Sequence, residues 1–245
     1  MEALAINVPS AVLNNSAIAY LQTGRADEAM MLLQIALANL RDQFVERRDR
    51  DGEGPCEDKP IEEDDVDQSM DSEDKLEPCS KQASSISVFG SVPFWIQQDA
   101  SFLTLYDRAL LVDTDIPCED DELLSAVILF NMALLHHSAG LQCGKSDFLE
   151  RASRLYQIAL NILQKQHDPN ANYLLLMALF NNIAHIDSHL FRMEDMKDSL
   201  EQMRNILTAD DIDDEDLPIE EDDYVIFFMN AMFGKEKEFT VAPAA

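Results

Sequence analysis

The chain has 245 residues, and 47 Asp and Glu against 18 Lys and Arg leave a formal charge of −29. Such a balance argues against nucleic acid or an anionic membrane as a partner, because phosphate contact requires a surface of Lys and Arg. Hydrophobic residues still make up 47% of the chain, enough for a sizeable core, so disorder throughout is excluded. The acidity is concentrated: residues 51–80 hold 13 acids against two lysines, and residues 208–223 hold ten acids and no base.

Residues 9–45 read as a first helical hairpin. Pro9 and Ser10 are good helix-start residues, and Leu13, Ala17 and Tyr20 follow at helical spacing. Gly24 breaks the run, after which Ala29, Leu32, Leu33, Ala36, Leu37 and Leu40 form a second apolar stripe. So short a connection implies antiparallel helices, with small residues at the contact. Residues 46–85 lack the apolar area to offset their ordering entropy and are expected to be a disordered acidic linker. Residues 86–118 carry ISVFGSVPFWI and FLTLYDRALLV, whose β-branched and aromatic content predicts short extended segments. Four helical runs are expected within residues 119–208, at about 121–139, 147–165, 170–190 and 193–207. Residues 209–223 read as an acidic spacer. Residues 224–245 read as an extended tail, whose run Tyr224 to Asn230 has the composition of a strand able to pair with Phe102 to Leu110. The apolar stretch Tyr224 to Phe233 is alternatively suited to fill a groove of the same protein or to pack on an open end.

The most apolar stretch, residues 123–141, is interrupted by Asn131, His136 and His137, which is costly in lipid and ordinary in a buried helix. No membrane span is expected. Met1 to Ser16 carries one acid and no base, unlike a secretory leader. Cys56, Cys79, Cys118 and Cys143 have no paired short spacing and read as reduced thiols, consistent with a cytoplasmic or nuclear location.

An internal repeat organises the helical part. Ala17 is followed by Ala29, Leu33 and Ala36; Ala184 is followed at the same spacing by Met196, Leu200 and Met203. Ala133, Ala152, Tyr156 and Ala159 form a middle copy with seven extra residues, assigned to a longer loop, LQCGKSD. Gly24 and Gly140 fall seven residues after the first Ala of their copies, where the last has Phe191. The grammar resembles the tetratricopeptide repeat family, most clearly in NNSAIAYLQTGRADEAMMLLQIAL. The resemblance implies an all-α fold: a superhelix of about three helical hairpins, interrupted by the acidic insertion, with a small β-hairpin or extended element beside it. No copy has the Trp near its start or the Pro at its end that the family pattern includes.

Each copy carries an asparagine two residues before its small Ala: Asn15, Asn131 and Asn182. The resemblance places these on the first helix of each pair, lining a groove. A carboxamide both donates and accepts, so it can read the N–H and C=O of an extended peptide; the alternative is a bond to a neighbouring helix end. Asn14, Gln22, His137, Asn181, His185 and His189 would complete a polar, nearly uncharged partner-binding surface. Family members that clamp a terminal carboxylate use basic residues where this chain has Ala11, Val127 and Ala178, so acidic chaperone tails are disfavoured.

The expectation is a non-catalytic interaction module, a scaffold or adaptor for a protein or peptide partner, monomeric and without a cofactor. No nucleophile constellation, phosphate loop or paired-carboxylate motif is present. Two rivals are a histone-type or basic-protein chaperone acting through the acidic segments, where Ser69 and Ser72 are candidate phosphorylation sites, and a metal-binding protein using His137, His185 and His189.

Overall fold

Two helices joined by a two- or three-residue turn pack as a hairpin, and the described residues make that connection three times. A computed structural model describes residues 8–51, 88–93, 102–114, 120–165, 172–208 and 219–233. They are mostly helical: α1 (Ser10–Gln22), α2 (Ala26–Asp51), β1 (Val88–Pro93), β2 (Arg108–Val112), α3 (Asp121–Cys143), α4 (Ser146–Leu163), α5 (Tyr173–His189), α6 (Met193–Leu207) and α7 (Glu221–Phe233). The described residues are all-α with one two-stranded addition.

α1 packs on α2, α3 on α4 and α5 on α6; α2 meets α3, α4 meets α5, and α6 meets α7. The small residues sit at these contacts. Ala17, Ala29, Ala36, Ala133, Ala152, Ala159 and Ala184 have no exposed surface, which lets the axes approach closely, and the larger Leu33, Tyr156, Leu200 and Met203 are buried with them. α3 is long and apolar enough to cross a membrane, yet it is mostly buried inside the protein. It starts where the Asp120 carboxylate accepts the Leu123 N–H at 2.9 Å, and it ends at Gly144, whose φ of 63° suits a residue without Cβ.

Several boundaries differ from the sequence reading. The seven extra residues of the middle copy are helix, not loop: α3 runs to Cys143, α4 starts at Ser146, and only Gly144 and Lys145 connect them. Seven residues make about two helical turns, so the insertion lengthens both helices and keeps their apolar faces in phase. Gly144, not Gly140, is therefore the counterpart of Gly24 and Phe191, all three with positive φ. Gly140 lies inside α3, where a Cβ would sit 2.7 Å from Leu149 Cδ2. α2 continues to Asp51 because its straight-chain residues favour helix and Arg47 pairs with buried Asp121 at 2.7 Å. The remainder of the expected acidic linker, 52–85, and of the spacer, 209–218, lies outside the described residues.

The largest correction concerns the C-terminal run. Residues 221–233 are helix α7, neither an extended tail nor a strand against Phe102 to Leu110. Glu221, Asp222 and Asp223 suit a helix N-terminus, and Phe227 and Ala231, four apart, are fully buried on α5 and α6, so tertiary packing overrides the β-like composition. β2 pairs instead with β1, antiparallel, Val88 opposite Val112 and Pro93 opposite Arg108, with an irregularity between Val88 and Gly90. A lone two-stranded ribbon is marginal; β2 is supported by packing across α1 and α3.

Candidate functional site: an asparagine-lined groove

The first helices of successive pairs, α1, α3 and α5, lie next to one another, and α7 continues the row beside α5. Each presents asparagine toward the same strip of backbone: Asn14 and Asn15 on α1, Asn131 on α3, Asn181 and Asn182 on α5, Asn230 on α7. The strip is the chain's own segment 102–112, which runs from α7 toward α1 and ends in β2.

Four asparagines each hold both main-chain groups of one residue. Asn15 donates Nδ2 to the Val112 carbonyl at 2.7 Å and accepts the Val112 N–H at 3.0 Å. Asn131 does the same to Leu110, at 3.0 and 2.9 Å. Asn182 holds Tyr106 at 3.0 Å in both directions, and Asn230 holds Thr104 at 2.6 and 3.0 Å. An amide side chain thus serves the segment as a neighbouring strand would. Alternate residues of a strand turn their polar groups to opposite edges; the N–H and C=O of Leu110 and Val112 face asparagine, which leaves those of Ala109 and Leu111 for the edge along β1.

The contacts form one network built twice. Asn14 Nδ2 donates to the Leu110 carbonyl and to Asn15 Oδ1, and Asn131 Nδ2 donates to Asn14 Oδ1 at 2.9 Å. Asn181 Nδ2 donates to the Thr104 carbonyl and to Asn182 Oδ1, and Asn230 Nδ2 donates to Asn181 Oδ1 at 2.6 Å. Asn182 therefore corresponds to Asn15, and Asn230 to Asn131. The amide chains fix the orientation of each carboxamide, so its donor and acceptor stay aimed at the main chain of the segment.

Side chains of the segment complete the fit. Leu103, Ala109, Leu110 and Val112 are buried, and Tyr106 is fully buried with its ring 5.0 Å from Phe227 and 6.4 Å from Phe130. Tyr106 Oη donates to Asp223 Oδ2 at 3.1 Å, and Arg108 Nε meets Asp223 Oδ1 at 3.0 Å. Arg108 Nη1 also reaches Glu220 at 3.2 Å.

The three histidines form a seam between α3, which carries His137, and α5, which carries His185 and His189. His137 Nε2 and His185 Nδ1 meet at 3.1 Å, and the His185 and His189 ring centres are 4.8 Å apart. His137 Nδ1 has no hydrogen-bond partner among the described residues, which favours the tautomer with the proton on Nε2, since an orphan acceptor costs less than an orphan donor. Burial, then the charges His185 and His189 would carry, hold the His137 pKa well below the ordinary value. The seam touches the groove through Tyr156, edge-on to His137, whose hydroxyl accepts Asn182 Nδ2 at 3.1 Å. Burial likewise pushes the Asp187 carboxyl up to about 6, with Arg192 opposing. Among the described residues no group of three or more His, Cys, Asp or Glu is placed to hold a metal ion.

Of the residues singled out from sequence, Asn14, Asn15, Asn131, Asn181 and Asn182 converge on the segment, His137, His185 and His189 form the seam, and Gln22 is exposed at the end of α1. Asn230, Asp223 and Arg108 were not anticipated. A signal for Asn230 existed: VILF precedes Asn131, and the similar VIFFM precedes Asn230. No family model, curated protein or solved structure matches this chain.

Proposed function

We propose that this chain is a non-catalytic interaction module whose groove holds an extended protein segment by its main chain, with residues 102–112 as the built-in occupant that a partner segment replaces. The observation that supports this is the pairing of Asn15, Asn131, Asn182 and Asn230 with both backbone groups of single residues, a contact that carries no side-chain information. In this reading the helix pairs form a tetratricopeptide-like superhelix, and α7 takes the place of a first helix in the next position of the row. The occupant is held firmly: burying residues such as Tyr106 and Leu110 contributes roughly 1.5–3 kcal/mol each, and tethering gives it an effective concentration on the order of millimolar. A partner must reproduce those anchors to compete.

The test uses the full-length chain with Leu110→Gly and Val112→Gly, which strip two anchors from the occupant and leave the groove walls intact. A fluorescent peptide of residues 101–113 should bind saturably by anisotropy, and adding Asn131→Ala and Asn182→Ala should abolish it. Absence of saturable binding, with helix content retained by circular dichroism, overturns the proposal. Val112→Gly alone serves if the double variant loses helix.

A further inference from the structure

The two asparagine clamps read main chain at 104 and 106 and again at 110 and 112, six residues apart in register. Between them the groove holds a side chain. Asp223, 1% exposed, forms an ion pair with Arg108, Nε 3.0 Å from one carboxylate oxygen, and accepts a hydrogen bond from the Tyr106 hydroxyl at 3.1 Å on the other. The Arg108 side chain is 17% exposed, and Glu220 adds a second contact at the rim.

We infer that the groove selects its occupant by a tyrosine and an arginine two residues apart, read together by Asp223, so that its partner class is an extended segment of the pattern Tyr-x-Arg-x-aliphatic-x-aliphatic. This rests on the reading of the groove as a peptide site. The asparagines alone would accept any extended backbone; selectivity has to come from groups that penalise the wrong side chain. A carboxylate withdrawn from water supplies that penalty, because an occupant without a cation forfeits the ion pair that Arg108 makes with Asp223. Lysine would bring the charge but not the planar guanidinium whose Nε faces Asp223 while Nη1 reaches Glu220. Phenylalanine would fill the ring site between Phe130 and Phe227 and leave one carboxylate oxygen without its hydroxyl donor. The acidic residues at the start of α7, Glu220 and Asp222, extend the same preference to the groove edge.

The experiment repeats the anisotropy titration with peptides changed at one position each, on the same full-length chain. The parent should bind best, the Tyr→Phe peptide about tenfold more weakly, and the Arg→Glu peptide about 100-fold or more weakly. Introducing Asp223→Asn into the chain should remove most of the difference between the Arg and Glu peptides, a change a merely structural aspartate would not produce. If all peptides bind alike, the selection rule is wrong while the main-chain groove stands. If the parent peptide itself fails to bind, both are overturned. Should Asp223→Asn lose helix content, the peptide series on the Asp223 chain decides the matter by itself.

Discussion

At the α1–α3 end of the groove Asn14 and Asn131 are fully buried, but Asn15, which holds the last residue of β2, is partly open to water. At the α5–α7 end Asn181, Asn182 and Asn230 are all at most 3% exposed, and Asn182 is tied through Tyr156 to the histidine seam. The same hydrogen-bond network is thus built twice in unlike surroundings. Water can replace a lost partner at the first clamp's outer edge and cannot do so at the second, and the second is linked through Tyr156 to His137, whose charged form is disfavoured by burial. Identical contacts should therefore differ in energy and in response to pH.

The comparison can be broken most directly at Asn182. Asn182→Ala removes the carboxamide that holds the Tyr106 N–H and C=O and the Tyr156 hydroxyl at a fully buried position, and should cost roughly 3–5 kcal/mol by chemical denaturation; Asn15→Ala should cost about 1 kcal/mol. Equal losses would show that burial does not separate the clamps. A control lies on the α3–α4 contact, away from the asparagines: Gly140→Ala drives a Cβ to within 2.7 Å of Leu149 and should cost about 1–3 kcal/mol while leaving the relative protection of the two clamps unchanged.

Acidification sharpens the contrast further. The unfolded chain takes a proton on His137 near the ordinary value of 6.5, but the folded protein takes it only at lower pH, so this residue makes stability fall as pH drops below about 6.5. Asp187 acts oppositely: its folded pKa is raised from 3.8 to about 6, so the native state takes up the proton first and gains stability as pH falls through that window. Measured between pH 7 and 5, the Tyr106 amide should lose protection relative to the Leu110 amide, and His137→Phe should remove that difference. Unchanged relative protection would disconnect the seam from the clamp. The smallest effect belongs to Phe191, 87% exposed at φ 58°, where Gly24 and Gly144 occupy the equivalent turns. Phe191→Gly should raise stability by about 1 kcal/mol or less, read from the thermal midpoint, without altering either clamp.

Much of this arrangement was legible in the sequence because it repeats. Asn15, Asn131 and Asn182 recur at one place in the helix grammar, and the spacing of Ala17, Ala133 and Ala184 after them marks a shared face. What occupies that face was not legible. The contacts join residues separated by 97, 21, 76 and 126 positions, and no local pattern reports such pairings. α7 was obscured for a different reason: Tyr224 to Phe228 has strand-like composition, and only its packing on α5 and α6 makes it helical, which brings Asn230 and Asp223 to the groove. The extra residues of the middle copy misled similarly, since the sequence does not distinguish a seven-residue loop from two added turns of helix.

Residue-resolved amide hydrogen exchange on the wild type and Asn131→Ala tests the main-chain clamp most directly. The account predicts protected amides at Thr104, Tyr106, Leu110 and Val112 in the wild type, and a selective loss at Leu110 in the variant while Tyr106 stays protected. Unprotected amides at these four positions in the wild type, or an unchanged Leu110 in the variant, would contradict it.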